Sequence, residues 1–273
     1  MGGKVIDFRL RPFTEHYKAA NTEAQVYKFY RGFGYEPGPA ATERTYEALV
    51  AELDEAAVAK AVIPGRGAAG TTNEELFAFA AQDPERYLVF PFLDITDVEA
   101  SLRVIDEEIV HGAGRGASFE ALIGNDLRFD DERIFPIYQK LQDEGIPVMT
   151  TVSGWVAPFG SGLSSQIQNV VTTFPKLTLI AAHAGYPWLN EFVAIAFMAP
   201  NLILTADFEG ARGVGNDALR IGALYQIPDQ VIFASSFPFG PIAQGVQSVR
   251  DWHLPAEAEE KVLYGNAARI LGL

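Results

Sequence analysis

The sequence LTLIAAHAG, at residues 177–185, joins a short and nearly apolar run to a histidine and a glycine. A run of this kind, without regular polar alternation, is typical of a strand that is buried on both faces of a parallel sheet. Similar runs precede it at 146–154 and follow it at 201–207. This part of the chain therefore predicts consecutive strand–helix units.

Eight runs of this type occur along the chain. They lie at 4–10, 59–65, 86–95, 116–124, 146–154, 177–185, 201–207 and 231–239. Segments with helical periodicity, such as 42–56 and 130–145, alternate with them and carry helix start and stop signals. Eight strand–helix units in 273 residues are the size of a (β/α)8 TIM barrel, so we predict one such domain over residues 1–273. An open doubly wound sheet is the alternative.

A barrel makes two further demands on the sequence. Segments 4–10 and 231–239 must be neighbouring parallel strands, and we expect the C-terminal segment 255–271 to be helical and packed outside the barrel. After the first strand, residues 12–41 are rich in Tyr, Phe, Gly and Pro without a sustained helical period, so we expect a long loop. At the C-terminal face this loop is either a lid, a subunit contact or an ordinary surface loop.

Composition excludes several classes of function. The formal net charge of −14 disfavours binding to nucleic acid or to anionic membranes. The chain has no cysteine, which excludes disulfides, zinc–thiolate sites and a thiol nucleophile. No signal peptide or membrane span is apparent, so we expect a cytoplasmic protein. The sequence leaves a monomer and a homo-oligomer equally open.

Polar residues at the C-terminal ends of barrel strands are the ones that face a ligand. This criterion selects Arg9 and Arg11 on the first strand and Glu120 on the fourth. On the later strands it selects Thr151, His183, Asp207 and Ser236, with Thr150, Ser153 and Ser235 beside them. We expect Arg9, Arg11, Glu120, His183 and Asp207 to converge on one pocket.

Five motifs, in this order, resemble the amidohydrolase superfamily and in particular its decarboxylase-like branch. They are IDFRLRP (6–12), PVMTTVSG (147–154), HAGYPW (183–188), FASSFP (233–238) and YGNAARILGL (264–273). In that family the first strand ends in Ile-Asp-x-His-x-His, the fifth in His, the sixth in His-x-Gly and the eighth in Gly-Ser-Asp-x-Pro. The resemblance implies a TIM-barrel hydrolase or decarboxylase.

The chain departs from the family at its metal ligands. Arg9 and Arg11 replace the two histidines of the first strand, Thr151 replaces the histidine of the fifth, and Ser236 replaces the aspartate of the eighth. A guanidinium has no lone pair to donate, and a neutral hydroxyl is a weak ligand for a divalent ion. We therefore expect no family-type metal site and no cofactor.

The remaining groups suggest metal-independent acid/base chemistry on a small aromatic or cyclic carboxylate. Arg9 and Arg11, with Thr151 and Ser236, are the candidate substrate-binding groups, and His183, Glu120 and Asp207 are the candidate catalytic groups. Each has a plainer alternative: Glu120 and Asp207 pair with the arginines in a structural ion network, and His183 is a satisfied core histidine. For an enzyme of this family, the expected reaction is hydrolysis or decarboxylation. A non-catalytic barrel that binds an anionic ligand or partner is the competing hypothesis.

Overall fold

Eight parallel strands alternate with helices in the computed structural model, which describes residues 3–123, 125–154 and 162–273. The strands are β1 Val5–Asp7, β2 Val58–Pro64, β3 Tyr87–Phe90, β4 Ala117–Phe119, β5 Val148–Thr151, β6 Leu179–Ala182, β7 Leu202–Ala206 and β8 Val231–Phe233. Each lies within a predicted run, except that β2 begins one residue earlier, and most are shorter than the run that predicts them. Gly124, at the end of the fourth run, lies outside the described residues. The eight predicted strands are confirmed.

The strands close into a barrel. Neighbours pair in parallel from β1 to β3 and from β4 to β8. The backbone N–H of Ser118 donates to the carbonyl of Pro91 at 2.9 Å and joins β4 to the end of β3. On the other side, the N–H of Phe8 donates to the carbonyl of Phe233 at 3.1 Å and joins β1 to β8. The (β/α)8 barrel is confirmed, and the open-sheet alternative is wrong.

Helices connect the strands of the barrel and follow the last one. They are α1 Glu15–Ala20, α2 Glu23–Gly32, α3 Pro39–Glu43, α4 Tyr46–Glu55, α5 Asn73–Ala80, α6 Val98–Val104, α7 Phe135–Asp143, α8 Leu163–Thr173, α9 Leu189–Met198, α10 Phe208–Arg212, α11 Asn216–Ile221, α12 Ile242–Arg250, α13 Ala256–Glu260 and α14 Asn266–Leu271. None within the described ranges is long and apolar enough to cross a bilayer. The cytoplasmic location stays a prediction.

Residues 12–41 are more ordered than their composition suggests, because α1, α2 and most of α3 lie within them. Helix α2 begins with a capping box between Thr22 and Gln25, and it buries Val26 and Tyr30, which are one turn apart. The expected long loop is thus a helical segment. Its helices are too short for a sustained period to show in the sequence, and Gly34, Pro37 and Gly38 interrupt the pattern between α2 and α3.

The C-terminal segment is helical as predicted, but it does not lie among the outer helices. Ala267 and Ala268 of α14 pack in the same buried cluster as Ile6 and Ile232, which point into the barrel. The side-chain amide of Asn266 also donates to the carbonyl of Val231, where β8 begins. The segment therefore closes the barrel at the end where the strands begin, opposite the candidate site.

Asp7 joins the first and last strands through its side chain. Its Oδ1 accepts from the backbone N–H of Ser235 at 2.8 Å, and its Oδ2 accepts from the Ser235 hydroxyl at 2.6 Å. The N–H of Arg9 also donates to Asp7 at 3.1 Å. Because Asp7 and Ser235 are both buried, no water replaces these bonds if one partner is removed.

Replacing Asp7 should therefore weaken barrel closure. We expect Asp7→Ala to lower the free energy of unfolding by about 2–4 kcal/mol, since it leaves the buried Ser235 groups without their acceptor. Urea unfolding of this variant and of Asp251→Ala, which removes an exposed carboxylate, gives the comparison. Equal losses in the two variants would show that the Asp7 contacts contribute little.

Candidate active site

The guanidinium of Arg9 lies at the centre of the strand-end residues that the sequence selects. Its Nη1 lies 2.8 Å from Nε2 of His183 and donates to Oγ of Ser236 at 2.9 Å. Its Nη2 donates to Oγ1 of Thr151 at 3.0 Å. Arg9 is only 2% exposed, and burial lowers its pKa to about 10, so it stays charged at neutral pH. One fixed positive charge thus links the ends of β1, β5, β6 and β8.

His183 is fixed in one tautomer by this arrangement. A guanidinium only donates, so Nε2 of His183 must accept, and the ring proton of the neutral form is on Nδ1. Nδ1 lies 2.8 Å from Oδ2 of Asp207, although its N–H does not point squarely at that oxygen. Burial, the largest cause, and the nearby charge of Arg9 lower the pKa of His183 to about 4. His183 is therefore neutral at physiological pH.

The backbone supports these side chains in strained conformations. His183 and Ser236 both have positive φ, at 69° and 56°. Left-handed backbone costs energy in residues other than glycine and is found most often at functional sites. The N–H of His183 donates to Thr205 Oγ1 at 2.9 Å and to Asp207 Oδ2 at 3.1 Å, which stabilises the turn after β6.

Asp207 is the buried anion of the site. It follows β7 and caps α10 by accepting from the N–H groups of Glu209 and Gly210. The Ser236 hydroxyl donates to its Oδ2 at 3.1 Å. Burial alone would raise its pKa, but His183, Arg9 and these hydrogen bonds outweigh burial, so the pKa of Asp207 lies below its ordinary value. Its charge compensates that of Arg9 without a direct ion pair.

Arg11 has no carboxylate in contact among the described residues, although Asp207 also acts on it at a distance. Its Nε donates to the carbonyl of Phe237 at 3.2 Å, its Nη2 donates to the carbonyl of Ser236, and its guanidinium lies 4.9 Å from the ring centre of Phe239. No ion pair to Arg11 is present in the described ranges. Burial, followed by the charges of Arg9 and Arg66, holds the pKa of Arg11 well below its usual range. An anion beside it would relieve this cost.

Glu120 does not join the arginines of β1. Its Oε1 lies 2.5 Å from Nη2 of Arg66, and its Oε2 accepts from the N–H of Ala68 at 2.9 Å. It lines a neighbouring cavity with Phe92 and Asn125 instead. Of the five residues expected at one pocket, Arg9, Arg11 and His183 line the same cavity, and Asp207 lies behind it in contact with His183. Glu120 is engaged instead by a third arginine, Arg66, which the strand-end criterion does not select. Among the described residues, neither Glu120 nor Asp207 forms an ion pair with Arg9 or Arg11, so the ion pairs proposed for the structural network are wrong.

Arg9, Arg11 and Arg66 line a cavity of about 190 Å³ at the C-terminal mouth of the barrel. Its walls are formed by Arg9, Arg11, Phe29, Arg66, Thr151, Ser153, His183, Phe208, Glu209 and Phe239. This volume is well below the roughly 300 Å³ at which drug-sized ligand pockets begin, so the cavity suits a single small ring. A larger surface groove, of about 610 Å³ between Phe13 and α5, has acidic walls without Lys or Arg.

Arg66 and Glu209 do not meet the strand-end criterion, because Arg66 lies two residues after the end of β2 and Glu209 lies three residues after the end of β7. Side chains from the first turn after a strand reach the same mouth as those at its last residue, so a wider criterion would have selected them. Phe29 comes from α2, far from any strand end. No local pattern indicates that its ring faces the cavity.

The comparisons with known proteins agree with this architecture. The model of the amidohydrolase family matches residues 6–273. This chain belongs to the amidohydrolase family. No curated protein matches it.

Other solved structures share the fold of this amidohydrolase. An uncharacterised TIM-barrel protein from Bordetella bronchiseptica is 26% identical, with a TM-score of 0.89 over 98% of each chain. A 5-carboxyvanillate decarboxylase from Sphingomonas paucimobilis is 17% identical, with a TM-score of 0.67 over 99% of each chain. A dihydroxybenzoic acid decarboxylase from a Polaromonas species, solved with manganese and the inhibitor 2-nitroresorcinol, is 17% identical, with a TM-score of 0.70 over 100% of this chain and 98% of that one.

The amidohydrolase family implies a metal, and the residues of this chain do not fit one. The Arg9 guanidinium bonds to His183, Thr151 and Ser236, which are the groups that would face the ion. In the part of the chain that the structure describes, no three His, Asp or Glu side chains are arranged as a metal site. A divalent cation at this point would meet a positive charge and neutral hydroxyls.

The buried His183 should leave a signature in the pH dependence of stability. Its pKa is 6.5 in an unfolded chain and about 4 in the fold, so unfolding takes up a proton between these values. Stability from this group is complete above pH 6.5 and is lost as pH falls towards 4, by up to about 3 kcal/mol. Urea unfolding across this range should show that His183→Gln lacks this part of the loss, while exposed His111→Gln retains it. Parallel curves for wild type and His183→Gln would contradict the assignment.

Proposed function

We propose that this amidohydrolase is a metal-independent enzyme that acts on a small aromatic or cyclic carboxylate by acid/base chemistry, either decarboxylation or hydrolysis. The observation that carries the proposal is that the Arg9 guanidinium bonds to His183, Thr151 and Ser236, the positions at which the resemblance implies metal ligands. Two of its structural relatives are decarboxylases of aromatic acids. The small cavity, with its arginines and phenylalanines, suits a ligand of that size and charge.

Arg9 supplies a permanent charge without a metal. A buried cation polarises an oxygen or stabilises a developing oxyanion, and it acts more strongly in a water-excluded site than in water. Because Arg9 is already bonded to β5, β6 and β8, it needs little reorganisation during the reaction. Thr151 and Ser236 orient it and complete the polar wall.

Arg11 is the better group for the substrate carboxylate. It lies in the same cavity, it has no acidic partner among the described residues, and its Nη1 is not engaged in a described hydrogen bond. A carboxylate accepts forked, charge-assisted bonds from a guanidinium. If the enzyme is a decarboxylase, a tight grip on the departing carboxylate would stabilise the ground state, so Arg11 then serves a second carboxylate or an enolate-type oxygen.

His183 and Asp207 fit a supporting role better than direct proton transfer. The Nε2 lone pair of His183 is directed at Arg9, and its Nδ1 faces Asp207. Transfer through His183 requires Arg9 to move away first.

The same contacts favour the second candidate function, a barrel that binds an anion without chemistry. Turnover assays separate this function from the proposed enzyme. The catalytic roles of His183, Asp207 and Glu120 stay predictions.

If the enzyme is metal-independent, the purified protein should contain little bound metal. We expect elemental analysis to find far less than one equivalent of zinc or manganese per chain. Treatment with a chelator should leave the melting temperature unchanged, because no ion contributes to the fold. One tightly bound equivalent per chain, with a lower melting temperature after chelation, would contradict metal independence.

If Arg11 binds the substrate carboxylate, replacing Arg11 should weaken carboxylate binding. Calorimetric titration with benzoate, 2,6-dihydroxybenzoate and 5-carboxyvanillate gives the affinities. We expect Arg11→Met to lose about 1.5–3 kcal/mol, roughly 10- to 150-fold in Kd, for each charge-assisted bond removed. Arg133→Met, which removes an exposed arginine, is the control and should bind like wild type. If no panel member binds in an Arg11-dependent way, the substrate proposal fails.

A further inference from the structure

Glu209 is a buried acid whose side chain faces the candidate substrate. It lies in α10, two residues after Asp207, and is only 1% exposed, yet it forms part of the cavity wall with Arg9 and Arg11. Its N–H donates to Oδ1 of Asp207 at 3.1 Å, which fixes the start of the helix. The position of its carboxyl group is therefore set by the same residue that contacts His183.

The surroundings of this carboxyl group are unusual for a buried acid. Ser153 donates to its Oε2 at 3.3 Å, and Nδ1 of His183 lies 3.6 Å from its Oε1. Although three arginines line the cavity, none of the described residues places an arginine or lysine nitrogen within ion-pair distance of Glu209. An ionised carboxylate here would be buried without a cationic partner in contact.

The charges that face Glu209 act in both directions. Burial and the negative charge of Asp207 favour its neutral form, whereas Arg9 and Arg11 favour the ionised form. Burial is the largest effect, and the pKa of Glu209 is raised well above its usual range. His183, the other titratable group in contact, is neutral at physiological pH. Burial and Asp207 therefore favour the protonated form of Glu209 at the cavity wall.

We propose that Glu209, rather than His183, is the catalytic acid of this enzyme and delivers the proton to the ring of a bound aromatic carboxylate. The inference rests on the proposed function and deepens it. It is carried by geometry: Glu209 has a carboxyl group on the cavity wall, whereas Nε2 of His183 is engaged by Arg9 and its Nδ1 faces Asp207.

The step balances for a decarboxylation. The Glu209 proton is transferred to the ring carbon that bears the carboxylate and forms a new C–H bond. The bond from that carbon to the carboxylate then breaks, its electron pair returns to the ring, and carbon dioxide leaves. Glu209 is left as a carboxylate beside Arg9 and Arg11, which stabilise the new charge, and it recovers its proton from water.

Glu209→Gln tests the inference, because glutamine keeps the shape but cannot give up a proton. Difference infrared spectroscopy at pH 7 should show a carboxylic acid band in wild type that is missing from Glu209→Gln and retained in Glu191→Gln, an exposed control. This readout needs no ligand. Absence of the band from wild type would overturn the inference even if Arg11-dependent binding is found.

Binding and turnover give the second readout, with the tightest ligand of the three-carboxylate panel. We expect Glu209→Gln to bind it within about threefold of wild type and to lose at least about 100-fold in turnover. Wild-type affinity should weaken at high pH as Glu209 ionises, and Glu209→Gln should lack this effect. Circular dichroism checks that Glu209→Gln folds. If it does not, Ser153→Ala, which removes the hydroxyl donor to Glu209, takes its place. The affinity of Ser153→Ala should weaken at a different pH from that of wild type. Unchanged turnover, or pH profiles that coincide, would overturn the inference.

Discussion

The contact between Arg9 and His183 is the interaction on which the rest of the site depends. A guanidinium at hydrogen-bonding distance from an imidazole nitrogen requires that nitrogen to be unprotonated. This fixes the tautomer of His183 and directs its ring proton towards Asp207. Together with its bonds to Thr151 and Ser236, Arg9 connects the ends of β1, β5, β6 and β8 and places a positive charge among them. A divalent cation gives such a site two charges and exchangeable ligands, whereas an arginine gives one charge and fixed geometry.

The charges around the cavity suggest the kind of ligand that it accepts. Arg9 is compensated at a distance by Asp207, and Arg66 is compensated in contact by Glu120. Arg11 has backbone carbonyls and an aromatic ring as its neighbours, and burial raises the pKa of Glu209 well above its usual range. Neither Arg9 nor Arg11 has a carboxylate within ion-pair distance among the described residues, which supports the proposed carboxylate ligand. The phenylalanines of α2, α10 and the turn after β8 form the apolar part of the cavity wall.

Much of this architecture could be predicted from sequence, because the signals were local. Buried parallel strands are continuous apolar runs, so the eight strands and their closure followed from counting them. Strand ends then located Arg9, Arg11, His183 and Asp207. The partner of Glu120 could not be predicted, since Arg66 comes from another strand–helix unit and only the folded barrel brings it into contact. The same holds for the helical segment after β1, whose short helices depend on packing of Tyr17 and Tyr30 rather than on periodicity.

The central claim is that the Arg9 guanidinium occupies the place of a divalent ion. Crystals of the wild-type protein soaked in manganese, with diffraction data collected at the manganese absorption edge, test this most directly. We expect density for the guanidinium within hydrogen-bonding distance of His183, Thr151 and Ser236, and no anomalous peak among them. An anomalous peak within coordination distance of the His183 ring, with Arg9 displaced from it, would contradict the claim.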